Sequence, residues 1–167
     1  MLYKIRIMKN SNHSFSKKYL PRTLSRSDTK KQLKMLIRTQ KLYKKRKFYT
    51  RKKIASFKSK KSSHIANACK IYGVKSVNPN RNLAIKTGCS LHALKQIVKK
   101  GEGAYYSSGS RPNQTAKSWG LARLASAITS GKAAKVDYKI LEEGCNHKKK
   151  AFMLAIKSIN KHKMKVE

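Results

Sequence analysis

The sequence predicts a mainly α-helical protein: a small multi-helix domain with a helix-turn-helix-like hairpin, preceded by an extended or helical basic arm. Three observations lead to this class. Apolar side chains recur at helical spacing in the second half of the chain, and capping and stop residues flank those segments. Lys and Arg crowd the first 62 residues. We therefore divide the chain into a basic arm at 1–62 and a helical domain at 63–167.

The charge of the chain is far from that of an ordinary globular protein. There are 42 Lys and Arg against 6 Asp and Glu, which gives a formal net charge of +36. From Met1 to Gly101 only Asp28 is acidic, against 29 basic residues. Such a charge repels itself and weakens a compact state unless counter-charge is supplied. The expected partner is therefore a polyanion or an acidic protein surface.

The arm offers one helix, from about residue 29 to 46. Thr29 and Gln32 stand at capping-box spacing, and apolar side chains follow at 33–42. The rest of the arm is short of large aliphatic side chains, so we expect it to be disordered alone and ordered when bound. Met1–Met8 is the one strand candidate of the chain, an added edge outside the core.

The polyanion contacts expected in the arm are cations interleaved with aromatic residues. Aromatic rings between cations suit base stacking on a nucleic acid, and equally anchoring on a protein. A solvated charged face is the ordinary alternative for such a run. The predicted contacts are Lys44, Lys45, Arg46, Lys47, Arg51, Lys52 and Lys53. The interleaved aromatic residues are Tyr43, Phe48, Tyr49 and Phe57.

Three short helices are predicted next, at 64–72, from Asn78-Pro79 to Gly88, and at 91–100 with Gly101 after it. The second and third resemble a DNA-binding helix-turn-helix, with a glycine in the turn and leucines facing the core. A merely structural hairpin needs the same residues, so both interpretations stay open. The third helix would present Ser90, His92, Lys95, Gln96 and Lys99 outward, and we take the last four as polyanion contacts.

A Gly- and Ser-rich loop is predicted at 101–115. Arg111 in this loop offers a planar fork for phosphate or carboxylate, and a packed structural loop is the alternative. It is not a Walker loop, because no Gly-Lys-Ser/Thr follows. Helices are predicted after it at 116–129 and 136–143, and a last one is capped by Asn146.

No catalytic, metal or cofactor site is predicted. Asp137 with Glu142 or Glu143 could pair as catalytic carboxylates, but on a helix they more often offset lysines. Nothing else supplies a nucleophile with a base, so we expect no enzyme and no small-molecule substrate. No stretch approaches the ~20 apolar residues of a membrane span.

The cysteines Cys69, Cys89 and Cys145 are odd in number and lack zinc-site spacing with histidines. The first residues contain no apolar region of a signal peptide. We therefore expect free buried thiols and synthesis in a reducing intracellular compartment.

Five segments carry a resemblance to a known family. They are Lys-Leu-Tyr-Lys-Lys…Tyr-Thr-Arg-Lys-Lys (41–53), Lys-Thr-Gly-Cys-Ser (86–90), Gly-Ala-Tyr-Tyr-Ser-Ser-Gly-Ser-Arg-Pro-Asn-Gln-Thr (103–115), Ser-Trp-Gly-Leu-Ala-Arg-Leu-Ala-Ser (118–126) and Val-Asp-Tyr-Lys-Ile-Leu-Glu-Glu-Gly-Cys (136–145). They resemble a small, uncharacterised basic domain family of giant and algal double-stranded DNA viruses and some phages. The likeness covers residues 20–145. It implies a viral setting and transfers no catalytic residue.

The charge and the resemblance together give two expected functions. The first is a non-enzymatic structural component of a large DNA virus particle, a minor capsid or cement protein on the inner side of the shell. Its arm would bind acidic surfaces of other capsid proteins. The alternative is a virion DNA-binding or packaging protein that contacts phosphates of viral double-stranded DNA through the arm and the hairpin. The expected location is the virion, after synthesis in the host, where contact with an internal anionic membrane is also compatible with the charge.

Overall fold

The fold is that of a computed structural model, which describes residues 2–3, 15–60 and 62–163. Within these residues there are eight helices and one short antiparallel pair of strands, so the predicted mainly α class is confirmed. The strands β1 (Leu2–Tyr3) and β2 (Phe15–Ser16) pair with Leu2 opposite Ser16. The rest of the predicted strand Met1–Met8 lies outside the described residues. The helices are α1 (Arg26–Lys44), α2 (Ser63–Tyr72), α3 (Arg81–Thr87), α4 (Leu91–Ser107), α5 (Ala116–Ile128), α6 (Lys132–Val136), α7 (Tyr138–Gly144) and α8 (Lys150–Lys163).

The chain divides into two compact units. The first consists of Met1–Lys60 with Glu102–Ala116, and the second of Lys61–Gly101 with Lys117–Glu167. The division near residue 60 lies close to the predicted boundary at 62. The segment 102–116, however, belongs with the arm and not with the helical domain in which the sequence analysis placed it.

The first unit has a core of its own. Two buried apolar clusters each include at least one residue of α1, and Tyr105 from the segment 102–116 is fully buried. The sequence predicts that the arm alone lacks enough apolar surface to form a core. The segment 102–116 supplies additional buried residues. The clusters are Phe15, Leu20, Leu33 and Leu36, and Leu24, Met35 and Ile54.

Helix α1 begins earlier than predicted because Ser25, not a residue near 29, is its N-cap. The Ser25 hydroxyl accepts a hydrogen bond from the backbone N–H of Asp28 at 3.2 Å. This satisfies one of the N–H groups left without a partner at a helix start.

The second unit is built around a larger core from α2 to α8. Leu83, Leu94, Ile97, Leu124 and Leu141 are each 0–1% exposed. These side chains come from α3, α4, α5 and α7. The predicted inward orientation of Leu94 and Ile97 is therefore confirmed.

The predicted end of α4 at Gly101 is wrong, since the helix continues to Ser107. Gly101 is not a stop residue but a point of close helix contact. A Cβ at Gly101 would lie 2.6 Å from the Gly120 Cα of α5. The predicted loop at 101–115 is therefore helical in its first half.

Two further helix boundaries differ from prediction. The helix predicted to start at Pro79 is α3, which starts at Arg81, because the Asn80 side chain accepts from the Leu83 N–H at 2.9 Å. The helix predicted at 136–143 is α7, which is separated from α6 by Asp137. A local polar side chain thus sets the start of α3.

The prediction of free thiols is wrong for two of the three cysteines. Cys89 and Cys145 form a disulfide, whereas Cys69 is a free cysteine. The two partners face each other across an isolated antiparallel bridge. The Ser90 N–H donates to the Gly144 carbonyl at 2.7 Å, and the Asn146 N–H donates to the Gly88 carbonyl at 2.8 Å. This pattern brings the two cysteine side chains close together. The sequence analysis did not predict the pair because 56 residues separate the two cysteines.

Candidate nucleic-acid interface

Helix α1 ends in a turn that exposes four consecutive cations. The Arg46 N–H donates to the Tyr43 carbonyl, and the Lys47 N–H donates to the Leu42 carbonyl, both at 2.9 Å. Arg46 takes a φ of +57°. This is the hydrogen-bond pattern of a Schellman motif, in which the left-handed residue is usually glycine. The exposed residues, here called the α1 turn cations, are Lys44, Lys45, Arg46 and Lys47.

The α1 turn cations are followed by an aromatic cluster. Phe48 is 70% exposed, and its ring meets Tyr106 edge-on with centroids 5.0 Å apart. Tyr106 stacks on Tyr43 with centroids 5.7 Å apart and planes inclined by 15°. The cluster therefore joins α1, α4 and the turn within the first unit, and it leaves most of one ring open to solvent.

Arg51 does not belong to the exposed cations, so its prediction as a polyanion contact is wrong. Arg51 is only 8% exposed. The Arg51 Nη1 donates to the Tyr105 carbonyl at 3.2 Å, and Nη2 donates to the Ser110 Oγ at 2.8 Å. The guanidinium also lies 3.7 Å from the Tyr105 ring centroid. Arg51 is thus an internal link between the arm and the segment 102–116.

Lys52 and Lys53 are exposed between two such links. Beyond them, the Ile54 N–H donates to the Asn113 Oδ1 at 2.7 Å. The Asn113 Nδ2 in turn donates to the carbonyls of Ile54 and Phe57, each at 3.0 Å. The Arg51 and Asn113 contacts fix the backbone on either side of the two lysines. Arg111 is also exposed, in the segment that supplies these links.

A row of cations on α1 was missed by the sequence analysis. Lys30, Lys34, Arg38 and Lys41 are all exposed and recur at intervals of three or four residues, which places them on one face of the helix. The Arg38 guanidinium lies 4.7 Å from the Tyr49 ring centroid. The same helical spacing that predicted the apolar stripe could have identified this row.

The second unit presents the predicted outward face of α4. His92, Lys95, Gln96 and Lys99 are exposed, whereas the residues between them are buried. The Ser90 Oγ caps this helix by accepting from the Ala93 N–H at 3.1 Å. The turn before it contains Gly88, with a φ of +74°. The four predicted contact residues of α4 therefore share one solvent-facing side of the helix.

The acidic side chains that could have suggested catalysis are not brought together. The Asp137 carboxylate is fully buried and binds Arg123 through two hydrogen bonds of 2.7 Å. Lys100 Nζ lies 2.8 Å from the same carboxylate. Glu142 and Glu143 are exposed. Asp137 thus holds α4 and α5 together in the second unit as a structural counter-ion.

Two further features are absent from the described part of the chain. No group of three or more His, Cys, Asp or Glu side chains is arranged as metal ligands there. None of the helices described has both the length and the apolar character needed to cross a membrane.

Comparison with known proteins identifies a family. No curated protein and no solved structure matches the chain. A family of unknown function (DUF5824) matches residues 16–143, which include the α1 turn cations, the aromatic cluster and the exposed face of α4. The matched range is well over half of the sequence, and the chain therefore belongs to this family.

Proposed function

We propose that the protein is a non-enzymatic nucleic-acid-binding protein that neutralises phosphates with exposed cations on both of its units. The observation that carries the proposal is the exposure of every predicted contact residue except Arg51. The ion pairs found within residues 15–60 and 62–163 involve Lys100, Arg123 and Lys139, none of which is a predicted contact. The contact cations thus need counter-charge from outside these residues.

The setting we propose is the packaging of viral DNA, which follows from the family resemblance of the sequence. The rival role is that of a capsid or cement protein whose arm binds acidic surfaces of other capsid proteins. The arm was expected to be ordered only when bound, by either kind of partner. In the first unit, Tyr105, Ser110 and Asn113 already contact the arm. The order of the arm therefore needs no protein partner, and it favours neither role over the other.

The experiment is a salt titration of binding to a labelled DNA duplex, using the intact chain. For phosphate binding, the logarithm of the affinity falls linearly with the logarithm of salt concentration, with a slope of about −0.9 for each neutralised phosphate. We expect a steep slope, since several cations contribute. A slope near zero would overturn the proposal.

Charge-reversal variants show how much the α1 turn cations and the exposed face of α4 each contribute to the slope of log affinity against log salt. We expect Lys45→Glu/Lys47→Glu in the first unit and Lys95→Glu/Lys99→Glu in the second each to make the slope shallower by about two phosphates. The matched control is Lys132→Glu/Lys135→Glu, which makes the same charge change at exposed positions of α6. If the control variant weakens binding as much as the others, net charge and not these surfaces governs binding.

A further inference from the structure

We propose that Phe48 is a stacking site for an unpaired base, so that the first unit binds single-stranded nucleic acid through the turn after α1. This inference rests on the proposed function and names its substrate class at that site. The bases of a duplex are already stacked on both sides, whereas a base in a single strand can stack on a protein ring.

The isolation of Phe48 favours a base over a protein partner. Among the described residues of the first unit, Phe48 is the one large apolar side chain that is exposed. A protein interface buries a contiguous apolar centre with few charges. Phe48 instead directly follows the four α1 turn cations. One aromatic ring beside a cationic track is the pattern of non-specific single-strand binding.

The ring of Phe48 is held in place before any ligand arrives. It contacts Tyr106 edge-on and Tyr43 at a centroid distance of 6.1 Å. A ring that is already fixed loses less rotamer entropy on binding than a free one does. The two tyrosines thus act as positioning residues for the exposed ring.

The backbone at Arg46 supports a functional role for this turn. A residue with a side chain at a φ of +57° is strained, and glycine would take the same position at lower cost. Strained non-glycine residues cluster at functional sites. Arginine at this position adds a cation two residues before Phe48, and a guanidinium can contact both phosphates and base faces.

Binding of a labelled oligothymidylate and of a labelled duplex of the same length, measured at one salt concentration, tests the stacking site. We expect Phe48→Ala to weaken single-strand binding about 5- to 150-fold, the range for loss of one stacked base, and to leave duplex binding nearly unchanged. Phe48→Leu keeps an apolar side chain but no ring, so we expect a similar loss. Phe48→Trp retains the ring and should keep single-strand affinity.

The controls separate this proposal from the proposed function. Met153→Ala removes another exposed apolar side chain, in the second unit, and should bind both ligands like the parent. If Phe48→Ala weakens the binding of both ligands equally, or of neither, the stacking site is refuted while nucleic-acid binding stands. If the parent binds neither ligand, the proposed function fails as well.

Arg46→Gly tests the strained position by a second route. Glycine relieves the left-handed conformation, so we expect unfolding in urea at a higher concentration than for the parent. The same variant should bind the oligothymidylate more weakly, because the cation is lost. Unchanged single-strand affinity would remove Arg46 from the site.

Discussion

At the scale of single residues, Arg51 shows how a cation of a very basic segment can serve the core. Its guanidinium binds the Tyr105 carbonyl, the Ser110 hydroxyl and the Tyr105 ring, with no carboxylate among its described partners. Burial lowers the pKa of the Arg51 guanidinium from its ordinary value, and the neighbouring tyrosines oppose this shift. Arginine stays charged in proteins, so its bonds must offset the cost of desolvation.

We expect Arg51→Lys to destabilise the first unit by about 2 kcal/mol, the scale of losing hydrogen bonds to a charged group. A lysine ammonium has three donors but no planar group, so it cannot stack on the Tyr105 ring and keep the two hydrogen bonds of the guanidinium fork. Urea unfolding of the intact chain, followed by circular dichroism, measures the change. Lys52→Ala, at the exposed neighbouring position, should stay within about 0.5 kcal/mol of the parent. Equal stability of Arg51→Lys and the parent would show that these bonds contribute nothing net.

Gly88 and Gly73 form a matched pair for measuring backbone and steric costs separately. Both are left-handed, with φ of +74° and +61°. A Cβ at Gly88 would lie 2.4 Å from the Lys149 Cβ, whereas at Gly73 it would meet nothing within 4 Å. We expect Gly73→Ala to cost about 1 kcal/mol for the conformation alone, and Gly88→Ala to cost clearly more. Thermal unfolding of the two variants gives the comparison, and equal losses would exclude the steric contribution.

At the scale of elements, the first unit depends on a link between the start of α1 and the loop around Ser56. The Asp28 Oδ2 accepts from the Ser56 N–H at 2.9 Å and from the Ser56 hydroxyl at 2.7 Å. These hydrogen bonds from Ser56 hold the pKa of the Asp28 carboxyl below its ordinary value. The ionised carboxylate is therefore favoured by folding.

This link predicts a pH dependence of stability. A carboxyl whose pKa is lowered by folding stabilises the protein above the pKa of the unfolded chain, about 4, and loses that contribution as the pH falls through the folded value. We expect Asp28→Asn to be less stable than the parent at neutral pH and to lose less stability between neutral and acidic pH. Urea unfolding across this range measures both curves. Glu143→Gln, at an exposed carboxyl, should follow the parent, and parallel curves for Asp28→Asn and the parent would contradict the link.

Most helices could be predicted from the sequence, because caps and helical spacing are local signals. Ser90 and Gly88 were identified as cap and turn, and the outward residues of α4 were assigned correctly. Gly101 was misinterpreted because the same residue type serves as a stop and as a contact between helices. Only the neighbouring α5 backbone distinguishes these two roles.

At the scale of the whole molecule, the misassigned core and cysteines depend on contacts between distant segments. The core of the first unit needs Tyr105, and the disulfide needs Cys89 opposite Cys145. Periodicity and composition carry no information on such pairs. The same limit applied to the candidate site, where the sequence could place Phe48 between cations but could not show that Tyr106 holds it.

From the net charge of +36 we expect the stability of the molecule to depend on salt. Repulsion among the exposed cations opposes the compact state, and salt weakens it as the screening length falls from about 30 Å at 0.01 M to about 3 Å at 1 M. We expect the melting temperature to rise with sodium chloride. Polyphosphate at low salt should raise it further, because a ligand that prefers the folded state stabilises that state, and high salt should abolish this gain.

Variants that lower the net charge provide the control for this dependence. Lys132→Glu/Lys135→Glu reduces the repulsion without touching either candidate surface, so its melting temperature should rise less with salt than that of the parent. If attractive interactions within the fold already offset the repulsion among the cations, the melting temperature of both the parent and the variant will be independent of salt. A stabilisation by polyphosphate that persists at high salt would point to apolar and not phosphate contacts. We expect the polyphosphate-induced rise in melting temperature to disappear at high salt. That result would show that the excess cations are stabilised by binding an anionic partner.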